Sequence, residues 1–220
     1  MALSESRGTI RRITAYSQNL REYASSNQTA GIRDTFYKIT RRAATSCGGL
    51  NDKSKNLKGG VFVPRKSFNE KLNNSKDLPK VEFIGYDNKM AKRYGCGDML
   101  IAAHIEYDEV MKRIPEGKLI TSDEIRAYLA KKHNADFTCQ LTAGIFINIA
   151  ANASQEREDL GSKDLTPYWR TLKKSGELNE KYPGGIEQQR MLLEMEGHEV
   201  ITKGKRHFVN DYEKALYELK

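Results

Sequence analysis

The sequence predicts a mainly α-helical fold with short β elements, in which a helix-turn-helix core follows a basic extension that is helical and loop-rich. Three observations predict it. Apolar residues recur at helical spacing in both halves of the chain, short runs of Val, Ile and Phe lie between turn residues, and positive charge is concentrated near the amino terminus. Because 220 residues can form more than one domain, we predict a basic region at residues 1–95 and a second domain at residues 96–220.

The charge is unevenly divided between these two parts. Residues 1–95 hold 19 Lys and Arg against 8 Asp and Glu, whereas residues 96–220 hold 18 against 21, so the net charge of +8 arises in the first part. A basic segment favours a polyanion through counterion release. A solvated surface gives the same bias, and both interpretations stay open.

Composition excludes several classes of protein. The 38% apolar and 30% charged residues are typical of a soluble globular protein. No apolar run approaches the roughly 20 residues of a membrane span, and residues 1–6 show no signal-peptide pattern. We therefore expect a cytoplasmic protein, nucleoid-associated in a prokaryote, with no membrane partner. Widely spaced Cys47, Cys96 and Cys139, without Cys-x-x-Cys or His-x-x-x-His pairs, indicate reduced thiols, no metal and no cofactor.

The amino-terminal region is predicted to begin with two amphipathic helices within residues 8–44, broken at residues 25–28. Residues 47–80, rich in Gly, Asn, Lys and Ser, are interpreted as loop-rich or as a linker, and short strands are expected at residues 61–63 and 81–84. The polar helix faces carry basic residues whose spacing suits a phosphate backbone or simply a soluble surface. Among them are Arg11, Arg12, Arg41 and Arg42.

The second part has a more regular pattern. Thr121 is a predicted N-cap, with Glu124 three residues later completing a capping box. Two helices separated by a short turn then give the outline of a helix-turn-helix, although any two packed helices share that outline. The predicted elements are a helix at residues 106–113, a helix at 122–132, a turn at 133–136, a helix at 138–153, a helix at 186–196 and a hairpin around 203–205.

A series of short motifs lies between Thr166 and His198. Thr-Pro-Tyr-Trp-Arg is followed by Lys-Ser-Gly-Glu-Leu, Tyr-Pro-Gly-Gly-Ile-Glu and Arg-Met-Leu-Leu-Glu-Met-Glu-Gly-His. This order resembles the alkylguanine-DNA alkyltransferases and alkyltransferase-like proteins, and residues 114–120 are similar to the segment that enters the family's helix-turn-helix. The resemblance covers roughly residues 106–200. It implies a winged helix-turn-helix domain that binds duplex DNA.

The resemblance also places the family's catalytic residues. Its nucleophilic Cys and neighbouring His correspond to Tyr168 and Trp169, within a loop that Pro167 and Arg170 complete. A phenol is mostly protonated near neutral pH and an indole cannot relay a proton, so alkyl transfer is not expected. Glu196 would lose the partner that it orients and keep a structural role. Tyr168 and Trp169 either wall a pocket for an extruded base or fill and close it, and Arg170 is interpreted as bracing the loop.

The same resemblance suggests which residues meet DNA. Gln140 and Ser122 stand where the family has its intercalating arginine and nucleotide-rotating tyrosine, which leaves base flipping open. Cys139, in the predicted second helix, is interpreted as a small core residue rather than a replacement nucleophile. Small side chains after Gln140 would let that helix approach a backbone closely or pack tightly. The predicted DNA contacts in this domain are Thr121, Ser122, Thr138, Gln140, Thr142, Ala143 and Gly144.

Three functions follow as hypotheses. The first is a non-catalytic DNA-binding protein of the alkyltransferase-like type, which senses altered bases or regulates DNA transactions and recruits a protein partner. The second is a protein–protein interaction module that keeps the fold without binding DNA, as the acidic balance of residues 96–220 would suit. The third is an enzyme of another type that uses Tyr168 as its nucleophile.

Overall fold

The computed structural model describes residues 65–89 and 91–220. Residues Pro64–Lys220 form one compact unit. The predicted helices within residues 8–44 and the predicted strand at 61–63 lie outside the described residues. The regular elements in chain order are α1 (Phe68–Asn73), β1 (Lys80–Ile84), α2 (Ala91–Tyr94), β2 (Gly97–Ile101), α3 (His104–Lys112), β3 (Ile120–Thr121), α4 (Ser122–Lys132), β4 (Phe137–Thr138), α5 (Gln140–Asp159), β5 (Thr171–Leu172), α6 (Gly185–Met195), β6 (Val200–Lys203) and β7 (Arg206–Val209).

Helix α5 is the centre of the unit. Its buried side chains are mostly small, including Ala143, Ala150, Ala151 and Ala153, and small residues let neighbouring helices approach closely. Helices α1, α3 and α4 all contact it. The main hydrophobic cluster therefore lies around α5, and it includes the fully buried side chain of Tyr107.

Helix α1 lies in the segment predicted to be loop-rich, and that prediction is wrong for residues 68–73. Ser67 and Glu70 form a capping box, and Leu72 is only 1% exposed. The Glu156 carboxylate accepts hydrogen bonds from the backbone N–H groups of Phe68 and Asn69, at 2.8 and 2.9 Å. Residues 68–73 thus form part of the folded unit.

A small sheet joins the two predicted domains. β1 confirms the strand predicted at residues 81–84, and it pairs antiparallel with β2, which pairs parallel with β4. The predicted boundary between residues 95 and 96 falls between the paired strands β1 and β2. Because hydrogen bonds and core contacts cross that position, the compact unit begins instead at Pro64.

The two helices of the helix-turn-helix outline are present, and both ends of the second helix are shifted. Helix α4 spans the predicted residues, and the Thr121 side chain accepts a hydrogen bond from the Glu124 N–H as a capping box requires. Helix α5 begins at Gln140 rather than at residue 138, because Thr138 belongs to β4 and the Cys139 N–H donates to the Leu100 carbonyl. It continues to Asp159, six residues beyond the prediction.

The carboxyl-terminal part has its own hydrophobic cluster. Leu119, Leu172, Leu178, Leu193 and Val209 bring together β5, α6 and β7. Helix α6 lies within one residue of its predicted span, and β6 and β7 form the predicted hairpin. Across residues 65–89 and 91–220, no helix is both long and apolar enough to cross a membrane.

Candidate nucleic-acid interface

An open cavity of about 460 Å³ lies beside the first turns of α5. The opposite wall is built from residues 172–173 and 179–182, which follow the 167–170 loop. Ser122 from α4 and Tyr94 from α2 complete the lining. The cavity thus collects side chains from four separate parts of the unit, and its volume lies within the range of small-molecule sites.

Three amide side chains contribute to the polar lining of this cavity. Gln140 is exposed at the start of α5, and Asn148 lies two turns further along the helix. The Asn179 amide nitrogen donates to the Asn148 side-chain oxygen at 2.9 Å, which joins the two walls. Amides offer both donors and acceptors, as the edges of nucleobases require.

Two lysines add positive charge to the same lining. Lys181 is exposed, and Lys173 is half-buried and contacts the carboxylates of Glu177 and Glu180. Its hydrogen bond lowers the pKa of Glu180 below the ordinary value, so that carboxyl group is ionised near neutral pH. The cavity therefore carries mixed charge, and Lys181 is its most accessible cation.

The surface of α5 at the cavity is apolar and open. Leu141 is 65% exposed and Ile145 is 48% exposed. Gly144 lies between them in the helix, and a Cβ atom added there would meet nothing within 4 Å. A flat partner could therefore approach the helix backbone closely at this glycine.

The 167–170 loop does not line the cavity. The Tyr168 side chain is 4% exposed, and its ring packs edge-on against Trp169 and Tyr182, with centroid distances of 5.5 and 5.4 Å. The Tyr182 hydroxyl donates to the Thr171 carbonyl at 3.0 Å, and burial raises the pKa of Tyr182 above its ordinary value. Tyr168 is therefore buried in packing contacts and does not wall an open pocket. A nucleophile must reach its substrate, so this burial argues against the Tyr168 enzyme hypothesis.

Glu196 bonds to this loop, as the structural role expected of it requires, and Trp169 is a partner that the sequence did not predict. Its carboxylate accepts a hydrogen bond from Trp169 Nε1 at 2.8 Å and from Arg170 Nη2 at 2.7 Å. Arg170 Nη1 in turn donates to the Ile114 carbonyl at 2.7 Å. The indole N–H thus bonds directly to the Glu196 carboxylate, and Arg170 ties the loop to the segment before α4.

Pro167 precedes this turn and is half-buried. The buried side-chain amide of Gln189 also contacts the loop, and the sequence did not predict it. Gln189 is fully buried, accepts from the Asn179 N–H at 2.7 Å and donates to the Trp169 carbonyl at 3.0 Å. It therefore connects the loop to the cavity wall. The signal for it was a polar residue at helical spacing between Ile186 and Leu193, on the apolar face of α6.

The predicted DNA contacts separate into exposed and buried groups. Ser122, Gln140 and Gly144 line the cavity, and Thr142 is half-buried with its hydroxyl donating to the Cys139 carbonyl. The other three face inward: the Thr121 hydroxyl serves the α4 cap, the Thr138 hydroxyl donates to the Arg126 carbonyl, and Ala143 is 1% exposed. Their side chains offer no surface to a partner.

Several predicted residues fall outside this site or outside the described residues. Arg11, Arg12, Arg41, Arg42 and Cys47 belong to the undescribed part of the chain. Cys139 is 4% exposed and packs with Ile84 and Met99. Among the residues that the structure describes, no cluster of three or more His, Cys, Asp or Glu side chains could hold a metal ion. Sequence reasoning missed Tyr94, Lys173 and Lys181, because nothing local indicates that they share a cavity.

Comparison with known proteins finds similar solved structures but no matching family. No protein-family model matches the sequence, and no curated protein matches it significantly. Among solved structures, the chain is similar to S. pombe Atl1 in complex with damaged DNA containing O6-carboxymethylguanine, with 19% identity and a TM-score of 0.32. It is also similar to S. pombe ATL in complex with DNA, with 17% identity and a TM-score of 0.36.

Each of these likenesses covers 53% of this chain and 94% of the other chain. Identities and TM-scores this low carry no argument about function.

Proposed function

We propose that this chain is a non-catalytic DNA-binding protein of the alkyltransferase-like type. A winged helix-turn-helix, made of α4, α5 and the β6–β7 hairpin, would hold duplex DNA. The observation that carries this proposal is the open face of α5, where Gln140 and Gly144 lie beside a cavity lined by amides and lysines. That face combines close backbone approach with groups that bind base edges and phosphates.

Electrostatics at the start of α5 favour an anionic partner. The first turn contains no acidic residue, and the free N–H groups of a helix N-terminus carry partial positive charge. Lys173 and Lys181 face the same space. On the hairpin, Lys203 and Lys205 are exposed and form no salt bridge with another described residue. Phosphates on either side of a groove would meet these groups.

The loop chemistry supports the absence of alkyl transfer. An attack on an alkyl group needs an accessible soft nucleophile, and the loop offers the buried phenol of Tyr168 instead. Cys139 is 4% exposed and packs against Ile84 and Met99, so its thiol is not accessible either. The role proposed for the domain is therefore recognition, with recruitment of a protein partner as its output.

An altered base is the proposed occupant of the cavity. Gln140, which is exposed, and Asn148, which is half-buried, can pair with base edges at this cavity. The cavity is open to the face of α5, so an extruded base would enter from the bound duplex.

The experiment is equilibrium binding of the full chain to a labelled duplex, with and without an O6-alkylated guanine, over a salt series. We expect binding that weakens as salt rises and is tighter for the alkylated duplex, and no added mass on the protein afterwards. Affinity that is absent even at low salt would contradict DNA binding. Added mass would contradict the non-catalytic role.

A fragment covering residues 64–220 shows whether DNA is bound by this folded unit or by the basic residues 1–63. If the domain itself binds, the fragment keeps a measurable affinity and the preference for the alkylated duplex. If the fragment binds nothing while the full chain binds both duplexes equally, the contact belongs to residues 1–63.

Strand β1 supports a second candidate function, protein–protein interaction. It is the outer strand of its sheet within the described residues, and Val81 and Phe83 on it are 45% and 72% exposed. Exposed apolar residues on an edge strand suit the addition of a strand from another protein. Replacing Phe83 with Lys should abolish such an interaction in a pull-down and leave duplex binding unchanged.

A further inference from the structure

Strand β1 carries an apolar row on one face and a charged pair on the other. Pro79, Val81 and Phe83 are exposed and alternate in sequence with Lys80 and Glu82. Because successive residues of a strand point to opposite faces, the three apolar residues share one face and the two charged residues share the other. An apolar row on the outer strand of a sheet suits pairing with a further strand.

The backbone of β1 is directed for such pairing. The carbonyls of Asp98 and Leu100 in β2 accept hydrogen bonds from N–H groups just before and just after β4, so they point away from β1. Their partners in β1 are Phe83 and Val81, which makes these the non-hydrogen-bonded pairs of the β1–β2 ladder. The N–H and C=O groups of Val81 and Phe83 therefore point to the outer edge of the sheet.

The charges on β1 favour a second copy of this chain as the occupant of that edge. Lys80 and Glu82 contact each other within the strand, and their side chains remain 56% and 41% exposed. When two β1 strands pair antiparallel about a two-fold axis at Val81, Lys80 of each copy lies opposite Glu82 of the other. The charges then alternate in sign around the axis, so the contact within each strand is kept. An axis at Glu82 would instead place two carboxylates opposite each other.

The same register is complementary in its apolar face and in its hydrogen bonds. Val81 of each copy lies opposite Val81 of the other, and Phe83 lies opposite the second copy's Pro79. The Val81 N–H groups would donate to each other's carbonyls, and each Phe83 N–H would donate to the Pro79 carbonyl. The N–H that proline lacks would leave only the Phe83 carbonyl, at the end of the ladder, to solvent.

We propose that β1 joins two copies of this chain into a dimer with a continuous sheet, in the register centred on Val81. This inference rests on the protein–protein interaction proposed for β1, and it names the partner as a second copy. The part of the chain that the structure describes contributes no β1 residue to the cavity lining, so the dimer would leave the cavity unobstructed by β1 itself.

The first test is analytical ultracentrifugation of the full chain. We expect a monomer–dimer equilibrium with a dissociation constant on the order of 10 μM, because a single strand pair is a small interface. Phe83→Lys should weaken it at least about tenfold. Leu160→Lys is the matched control, since Leu160 is 84% exposed, lies outside the sheet and receives the same charge. This control should dimerise like the unaltered chain.

The second test is specific to the pairing of charges between copies. Lys80→Glu and Glu82→Lys each place like charges opposite each other and should each weaken self-association at least about tenfold. An equimolar mixture of the two variants should recover it as a heterodimer, because an acidic strand then faces a basic one. Neither variant regains its internal pair in the mixture, so recovery can arise only from contact between copies. Circular dichroism shows whether each variant is folded.

Each contrary outcome overturns the dimer. These outcomes are a full chain that stays monomeric up to about twenty times the expected dissociation constant, a dimer that Phe83→Lys leaves intact, and a mixture of the charge variants that stays monomeric. A monomeric chain that captures a different protein through Phe83 would overturn the dimer while the interaction role of β1 stands. If neither a second copy nor another protein binds there, both fall.

Discussion

Glu196 shows how one carboxylate can hold a whole loop in place. It receives hydrogen bonds from Trp169, Arg170 and the Gly117 N–H, and its side chain is 9% exposed. The sequence alone could predict that residues 167–170 form one loop, since they are consecutive. It could not predict the indole donor to Glu196, because two distant segments must fold together before they meet.

Removing this carboxylate tests its structural role. Glu196→Ala leaves the Arg170 charge buried without its partner, and the free energy of unfolding should fall by about 3–5 kcal/mol. Glu194→Ala on the same helix removes an exposed pair with Arg190 and should cost at most about 1 kcal/mol. Urea unfolding measures both. Equal losses would show that Glu196 has no special role in the loop.

The histidines His104 and His198 predict a pH dependence. Burial lowers the pKa of each below the ordinary 6.5, although nearby Glu196 partly opposes this at His198. Above pH 6.5 both rings are neutral in the folded and unfolded chain. As pH falls below 6.5, the unfolded chain binds protons that the folded chain does not, so stability decreases.

The double variant His104→Gln, His198→Gln should flatten this decrease just below pH 6.5, at pH values above the ordinary pKa of 4.5 around which Glu106 titrates in the unfolded chain. The measurement is the free energy of unfolding by urea as a function of pH, compared as a slope because the substitutions also change packing. An unchanged slope would exclude these two rings as its source.

Local signals predicted some elements and long-range pairing decided others. Helix α4 follows from its capping box, which is written within four residues of sequence. The same capping-box signature is present at Ser67 and Glu70, where α1 begins. The surrounding residues are mostly polar, so the sequence predicted a loop there. The start of α5 was misplaced because β4 exists only through its pairing with β2, which is distant in sequence.

The α4 cap provides a prediction at the scale of one element. Thr121→Ala removes the acceptor for the Glu124 N–H and should lower the free energy of unfolding by about 1 kcal/mol. Thr202→Ala, on exposed strand β6, should change it by less than about 0.5 kcal/mol. Thermal and urea unfolding check both variants. A loss no larger for Thr121→Ala than for Thr202→Ala would contradict the assigned cap.

At the scale of the whole molecule, composition misplaced the boundary of the folded unit. Charge changes sign near residue 95, but α1 and β1 lie before that point and pack with the elements after it. A charge balance describes the surface, whereas the boundary depends on which apolar residues share a core. Leu72, a single leucine in a polar stretch, is buried in the shared core and so shows that α1 belongs to the folded unit.

Fragments test this boundary. Residues 64–220 should unfold cooperatively, whereas residues 96–220 should not, because they lack Leu72 and leave β2 without its antiparallel partner. Circular dichroism during urea unfolding distinguishes the two. Cooperative unfolding of residues 96–220 with undiminished stability would restore the boundary predicted from charge.

The central claim is that the open face of α5 holds duplex DNA, and a charge placed at Gly144 tests it most directly. The measurement is the affinity of the full chain carrying Gly144→Glu for a labelled duplex. The control is Ala127→Glu, which adds the same charge at an exposed position of α4. Ala127 lies about 140° around that helix from Ser122. Since a side chain at residue 144 meets nothing in the fold, Gly144→Glu should fold normally and bind at least about tenfold more weakly, while Ala127→Glu binds like the unaltered chain. Equal affinity of Gly144→Glu and the unaltered chain would contradict the claim.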